Sequence, residues 1–311
     1  MGNLALIVGN GLSIDLRYEK KYFWKFNPSK PLSWDFYINQ KSGKISWKEA
    51  FPKFFDYYQS NKEEADRDNF LLFRDIGKHD DYQLRIEARH FLALAFSYYD
   101  NHVFPSRFWK WPRFIQQYAP RISDIISFNY DTIVERALSM VVLGYVLHSA
   151  HNHLPSVFKP HGCSRMDGTS KGILIEDEHG NPHLGYPLKC WRESNDFDEF
   201  DYLEYSETMV PRRESYCVLP HERNIFKHFQ TQKPIWNQMH SRLGAVQHCL
   251  IIGHSYGEVD RPEIDQILDL LPENTTIHIC NPFPPVDLIE KVKSTAREYS
   301  VHKDVPTFEL K

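Results

Sequence analysis

The sequence predicts an α/β fold, a doubly wound parallel sheet interrupted by a helical insertion lobe. Three observations carry that prediction. Short apolar runs end in glycine- or asparagine-bearing turns at "LALIVGNG", "DIISFN" and "HCLIIG", the pattern of buried parallel strands entering tight turns. Strand-like and helix-like stretches alternate through the last third of the chain, which implies a parallel sheet with helices on both faces. Between the first strand and the next, residues 19–120 crowd aromatic residues instead.

Taken in order, "LALIV" (4–8) is a buried strand ending in "GNG". Residues 19–120 contain "YFWKF", "FPKFFDYY" and "RFWKWPRF", with a helical period at Leu84, Ala88, Phe91, Leu92 and Ala95; this is read as a mostly helical insertion whose aromatics pack a lobe. "SDIISFN" (123–129) is a second strand, followed by "DTIVERAL", where Asp131 can cap a helix that turns Ile133, Val134, Ala137 and Leu138 inward. "SVFKPHG" (156–162) reads as a strand ending in a polar turn. Residues 163–230 read as an irregular insertion, and its acidic stretch "ESNDFDEFDYLEYSE" as solvated surface. The rest reads as a helix around "PIWNQMHSRLG", a strand "HCLIIG", a helix "PEIDQILDLL", a strand "TTIHICN" and a helix "PVDLIEKVKSTAREY". All 311 residues are assigned to one domain.

Composition narrows the class. A hydrophobic content of 41% can fill a core, and a net charge of −4 gives no overall pull toward nucleic acid or anionic membrane. Neither is expected as a partner. The five cysteines, Cys163, Cys190, Cys217, Cys249 and Cys280, form no C-x-x-C pair and are odd in number, which reads as reduced thiols rather than zinc ligands or disulfides. No apolar run reaches membrane-span length. A cytoplasmic location is the expectation.

In such folds ligands bind at the carboxyl ends of the strands, so the turns "GNGLS", "FNYD", "HG", "GHSYG" and "CNP" are the places to look for chemistry. "GHSYG" has the G-x-S-x-G spacing of a nucleophile elbow, but an elbow needs a helix at once and an acid and histidine later in the chain. Here "YGEVD" intervenes before the next helix, near Arg261 or Pro262. The turn is therefore read as one that holds a ligand. The glycines of "GNGLS" let backbone N–H groups approach a pyrophosphate. Ile14 stands where the hydride-transfer fingerprint has its third glycine, which disfavours an ordinary dehydrogenase. His148, His151 and His153, with His161 nearby, match no common zinc spacing, so no metal is predicted.

As an ordered set, "GNGLS", "SFNYDTIVE", "KPHG", "LIIGHSYGEVD" and "ICNP" resemble the dinucleotide-binding signature of sirtuins. They are more closely similar to the sirtuin-like NAD hydrolases of bacterial antiphage defence. The resemblance touches most of the sheet and almost none of residues 19–120. It implies a Rossmann-like, sirtuin-type sheet with Asn129 and His161 as the catalytic pair. It also implies that Gly9, Asn10, Gly11 and Ser13 line the phosphates and ribose, that Gly253 and Ser255 hold the middle of the dinucleotide, and that Asn281 contacts its adenosine end. Asp131, the aspartate of N-x-D, would support the loop or touch ribose. The four-cysteine zinc ribbon of deacylating sirtuins is absent.

The function so implied is NAD hydrolysis to nicotinamide and ADP-ribose without a metal, serving antiphage defence by NAD depletion. Such an activity needs control, so a homo-oligomer or a separate regulatory or sensor protein is expected. The residue types suit the reaction. Nicotinamide departs as a neutral base, so no acidic pair is required, unlike in ordinary glycosidases. An asparagine amide offers donor and acceptor without charge, and a histidine can take the proton of a ribose hydroxyl or of attacking water. An NAD-dependent protein deacylase and a non-catalytic NAD or nucleotide-binding module stay open beside this function.

Overall fold

Two cores are written into the alternation of the first strand: Leu4, Leu6 and Val8 point into one, Ala5 and Ile7 into the other. A computed structural model of the chain describes residues 3–19, 25–40, 43–141, 144–147, 154–168, 200–210, 215–220, 239 and 241–306. Chain order begins β1 (Asn3–Val8), α1 (Gly11–Glu19), β2 (Tyr37–Gln40), β3 (Gly43–Ser46), α2 (Trp47–Ala50), α3 (Pro52–Ser60), α4 (Lys62–Arg67), α5 (Asn69–Lys78), α6 (Tyr82–His102) and α7 (Lys110–Tyr118). It continues β4 (Ile122–Ser127), α8 (Ile133–Met140), β5 (Val146–Leu147), β6 (Ser156–Phe158), β7 (Gly162–Gly168), β8 (Phe200–Tyr202) and β9 (Ser215–Cys217). The last elements are β10 (Val246–Ile252), α9 (Arg261–Leu270), β11 (Thr276–Cys280), α10 (Val286–Ser294) and β12 (Tyr299–His302).

Seven strands form one parallel sheet in the order β12-β11-β10-β1-β4-β6-β5. Residues Leu12 and Leu16 of α1, and Ile133, Val134, Ala137 and Leu138 of α8, cover one face; Ile264, Ile267 and Leu268 of α9, with Leu288 and Val292 of α10, cover the other. The fold is therefore the doubly wound, Rossmann-like α/β class. The order of strands reverses between β1 and β10, the position at which such sheets open a ligand crevice.

The segment between β1 and β4 is a lobe of helices around α6, whose first turn is capped where the Asp81 side chain accepts the Leu84 N–H at 3.1 Å. Leu84, Ala88, Phe91, Leu92 and Ala95 are all buried. Phe91 is its aromatic centre, with Trp47 at 4.7 Å and Phe54 at 4.9 Å between ring centroids. The aromatic clusters of the sequence thus pack the lobe.

Three features differ from the sequence reading. Residues 163–230 are not wholly irregular, because β7 pairs antiparallel with β8 and β9. These strands are short, and β7, "GCSRMDG", has no apolar alternation to announce it. A hairpin, β2 with β3, lies inside the otherwise helical lobe. The final helix stops at Ser294, and β12 follows as an edge strand of alternating exposure. The helix expected around 234–244 falls mostly outside the described residues, as do Cys190, His148, His151 and His153. Among the described residues no helix is long and apolar enough to cross a membrane.

Candidate active site

Two strand-end turns meet backbone to backbone. The Gly9 N–H donates to the Ile252 carbonyl at 2.9 Å, the Gly11 N–H to the Gly253 carbonyl at 2.8 Å, and the Gly253 N–H to the Cys280 carbonyl at 2.9 Å. A Cβ on Gly9 would lie 2.7 Å from the His254 Cα, and one on Gly253 would lie 2.6 Å from the Gly11 Cα. Gly253 also adopts φ +55°, a region open to glycine. This corrects the sequence argument for these glycines. Their N–H groups bond to the neighbouring turn, and the missing side chains let the two turns close on each other.

Above this seam lies a cleft of about 810 Å³, within the range of small-molecule sites. Gly9, Asn10, Gly11, Asn129, Asp131, His161, Gly253, Ser255 and Asn281 all line it. The turns after β1, β4, β6, β10 and β11 thus share one space. Ser13 is the exception among the sequence candidates. It is fully buried and does not line the cleft, so the expectation that it contacts phosphate or ribose is replaced by a place beneath the site.

From there Ser13 organises two candidates. Its hydroxyl donates to Asp131 Oδ2 at 2.6 Å and accepts from Asn129 Nδ2 at 3.2 Å. That fixes the amide, leaving Asn129 Oδ1 buried and with no hydrogen-bond partner among the described residues. A buried carbonyl oxygen without a donor is costly unless water or a ligand supplies one. Asp131 is committed to the loop: its Oδ1 accepts the Ile133 N–H at 3.1 Å, while Thr132 occupies the cap position itself. Burial raises the Asp131 carboxyl pKa, and the nearby Lys159 ammonium opposes that rise.

Beneath Asp131 lies a buried polar layer. The Lys159 ammonium pairs with Glu135 at 3.0 Å and donates to the Asp131 carbonyl at 2.6 Å. Asp100 accepts from Ser164 Oγ at 2.5 Å and from the Thr132 N–H at 3.0 Å, and burial pushes its carboxyl up to about 7. These bonds hold the "FNYD" turn and the β6–β7 turn in one frame.

His161 enters the cleft from the β6–β7 turn. Its ring packs edge-on against Phe128 at 5.3 Å, and its Nε2 lies 3.7 Å from Asp260 Oδ1. Burial lowers its pKa, with the Asp260 carboxylate opposing. A second imidazole, His254, has Nε2 3.6 Å from the other oxygen of Asp260. The sequence does not set His254 and Asp260 apart, although both stand inside "GHSYGEVD".

Ser255 is exposed on the cleft wall, and among the described residues its hydroxyl makes no hydrogen bond to a histidine. The next helix starts only at Arg261, so the turn is not a nucleophile elbow. Asn281 lines the cleft, but its amide is engaged: Oδ1 accepts the Phe283 N–H at 3.0 Å and Nδ2 donates to the His254 carbonyl at 3.2 Å. It shapes the wall and presents Phe283, 89% exposed, at the rim. Asn10 donates to Ser29 Oγ at 3.0 Å, tying the first turn to the lobe. The lobe contributes Lys30, Arg67 and Arg74 to the cleft lining, with Arg67 and Arg74 also paired to Glu64 and Asp75.

No protein-family model matches the chain, and no curated protein matches it. Solved structures similar to it include a Sir2 enzyme described for its mechanism and regulation, at 10% identity and TM-score 0.31, covering 95% of this chain and 93% of that one. Another is a Sir2 histidine-to-tyrosine mutant with a p53 peptide and NAD, at 13% identity and TM-score 0.36, covering 94% and 90%. A third is a histidine-to-asparagine mutant of a Sir2 homologue in complex with ADP-ribose, at 10% identity and TM-score 0.37, covering 94% and 92%.

Proposed function

We propose that the cleft binds NAD and hydrolyses the bond between its ribose and nicotinamide, giving nicotinamide and ADP-ribose. The observation that supports this most is the convergence of Asn129, with its unpartnered buried Oδ1, and His161 on one cleft with the glycine seam. Asn129 is held by Ser13 so that its free oxygen accepts from the nicotinamide amide or from the attacking water. His161, neutral near pH 7 because burial disfavours its charge, takes the proton. The ribose–nitrogen bond breaks with its electron pair going to nicotinamide. The water oxygen bonds to the ribose carbon, and the water proton passes to His161 and then to solvent. No metal enters this scheme. The wider proposal is antiphage defence by NAD depletion, restrained by self-association or by a separate sensor protein.

The test is nicotinamide release from NAD by the full chain, repeated with Asn129→Ala and His161→Ala. Loss of release by at least about a hundredfold in both is expected for an acid–base residue and its partner. Unchanged turnover in both removes the assignment. O-acyl-ADP-ribose formed only with an acetylated peptide would make the protein a deacylase, and NAD binding without turnover would make it a binding module.

A further inference from the structure

The turn after β10 places a carboxylate between two imidazoles. Asp260, the residue before α9, directs Oδ1 toward His161 Nε2 at 3.7 Å and Oδ2 toward His254 Nε2 at 3.6 Å. His254 is fixed on several sides. Its Nδ1 accepts the Tyr256 N–H at 2.9 Å, which requires the proton of the neutral ring to sit on Nε2, facing Asp260. The backbone reaches this bond because Tyr256 adopts φ +52°, a left-handed conformation unfavourable for a non-glycine residue. The Phe128 ring packs edge-on against both imidazoles, at 5.3 Å and 5.1 Å.

We propose that Asp260, steadied by His254, is a positioning residue that holds His161 with its proton on Nε2 and so leaves Nδ1 as the basic nitrogen of the cleft. This rests on the cleavage proposed above. A carboxylate that accepts from one ring nitrogen selects the tautomer and stabilises the imidazolium formed when the other nitrogen takes a proton. The present separations are longer than hydrogen bonds, and such contacts tighten when substrate binds or charge develops. His254 presents an N–H rather than a lone pair, so the trio is arranged around a proton and not a metal ion. Among the described residues, the polar and titratable groups facing His161 are Asp260 before α9, His254 after β10, and the Tyr130 ring after β4, 6.2 Å away. Burial lowers the pKa of His161 and Asp260 opposes it. Removing the carboxylate therefore leaves burial unopposed.

The experiment is nitrogen-15 NMR of the histidine rings in the full chain, wild type and Asp260→Asn, titrated across the imidazole range, with nicotinamide release measured on the same samples. In the wild type, His161 and His254 are expected as Nε2–H tautomers. In Asp260→Asn the His161 pKa falls, its tautomers mix, and kcat drops about tenfold to a hundredfold with KM for NAD nearly unchanged. The acidic limb of kcat/KM moves to lower pH. A folded Asp260→Asn with unaltered His161 tautomer and pKa overturns the proposal. Where that variant fails to fold, the wild-type spectrum decides: a His161 ring protonated on Nδ1 overturns it, and one protonated on Nε2 supports it. Absence of nicotinamide release from the wild type removes the cleavage reading, while the ring measurement still judges Asp260.

Discussion

Gly11 and Gly253 leave no room between them: a Cβ on Gly11 would stand 2.5 Å from the Cα of Gly253. Gly253→Ala adds a backbone clash to a left-handed φ, so a loss of about 2–4 kcal/mol is expected. Urea unfolding measures it. Gly257→Ala is the control in the same turn, since its Cβ would meet nothing nearer than the Ser255 hydroxyl at 3.6 Å; a change within about 0.5 kcal/mol is expected there.

Ser13 acts without lining the cleft. Ser13→Ala removes the donor to buried Asp131 and the acceptor of the Asn129 amide, which costs about 1–3 kcal/mol. Nicotinamide release should fall with it, because the amide loses its anchor. Release at the wild-type rate from a variant less stable by that amount would separate the anchor from the reaction.

The Lys159–Glu135 pair is buried on both sides. Lys159→Met strands a carboxylate and should cost about 3–5 kcal/mol, whereas Lys159→Met with Glu135→Leu should recover part of that loss. A double variant no more stable than the single one would show that the ammonium matters for its bond to the Asp131 carbonyl and not for the pair.

Three imidazoles form a row across the sheet edge. His248 Nδ1 lies 3.3 Å from His278 Nε2, and Ser300 Oγ links His278 Nδ1 at 2.8 Å to His302 Nε2 at 2.7 Å. Burial, then the two neighbouring imidazoles, lower the His278 pKa to about 4. A depressed histidine means that the unfolded chain binds the proton more readily, so stability is present above the unfolded value near 6.5 and is lost as pH falls toward 4. Asp100, raised by burial, acts in the opposite sense over the same range. The difference between wild type and His278→Asn isolates the histidine: thermal melts should converge as the pH is lowered from 6.5 to 4. A constant gap between them would assign the acid sensitivity elsewhere.

The sheet was legible because β1, β4, β10 and β11 are apolar runs with punctuated ends, and the strand ends in turn located Asn129, His161 and Ser255. The strands that escaped notice lack that signal: β12, "YSVH", alternates between exposed and half-buried positions at an edge, and β7 is polar. His254 and Asp260 were visible as letters but not as a pair, because their meeting depends on the turn at Tyr256, whose left-handed backbone no propensity predicts. Lys30, Arg67 and Arg74 reach the cleft only through the docking of the lobe, which residue spacing does not encode. Ser13 belongs to the motif that carries the resemblance, but its burial goes with contacts to Asn129 and Asp131 that are remote in sequence.

The position of β1 in the sheet bears on how the chain is made. Asn3–Val8 sits between β4 and β10, and its partner on one side, Val246–Ile252, is synthesised long after it. Until then an apolar strand keeps one edge unpaired outside the ribosome, where other chains can add to it. The central sheet therefore closes only once Val246–Ile252 has been made, however early the flanking helices form.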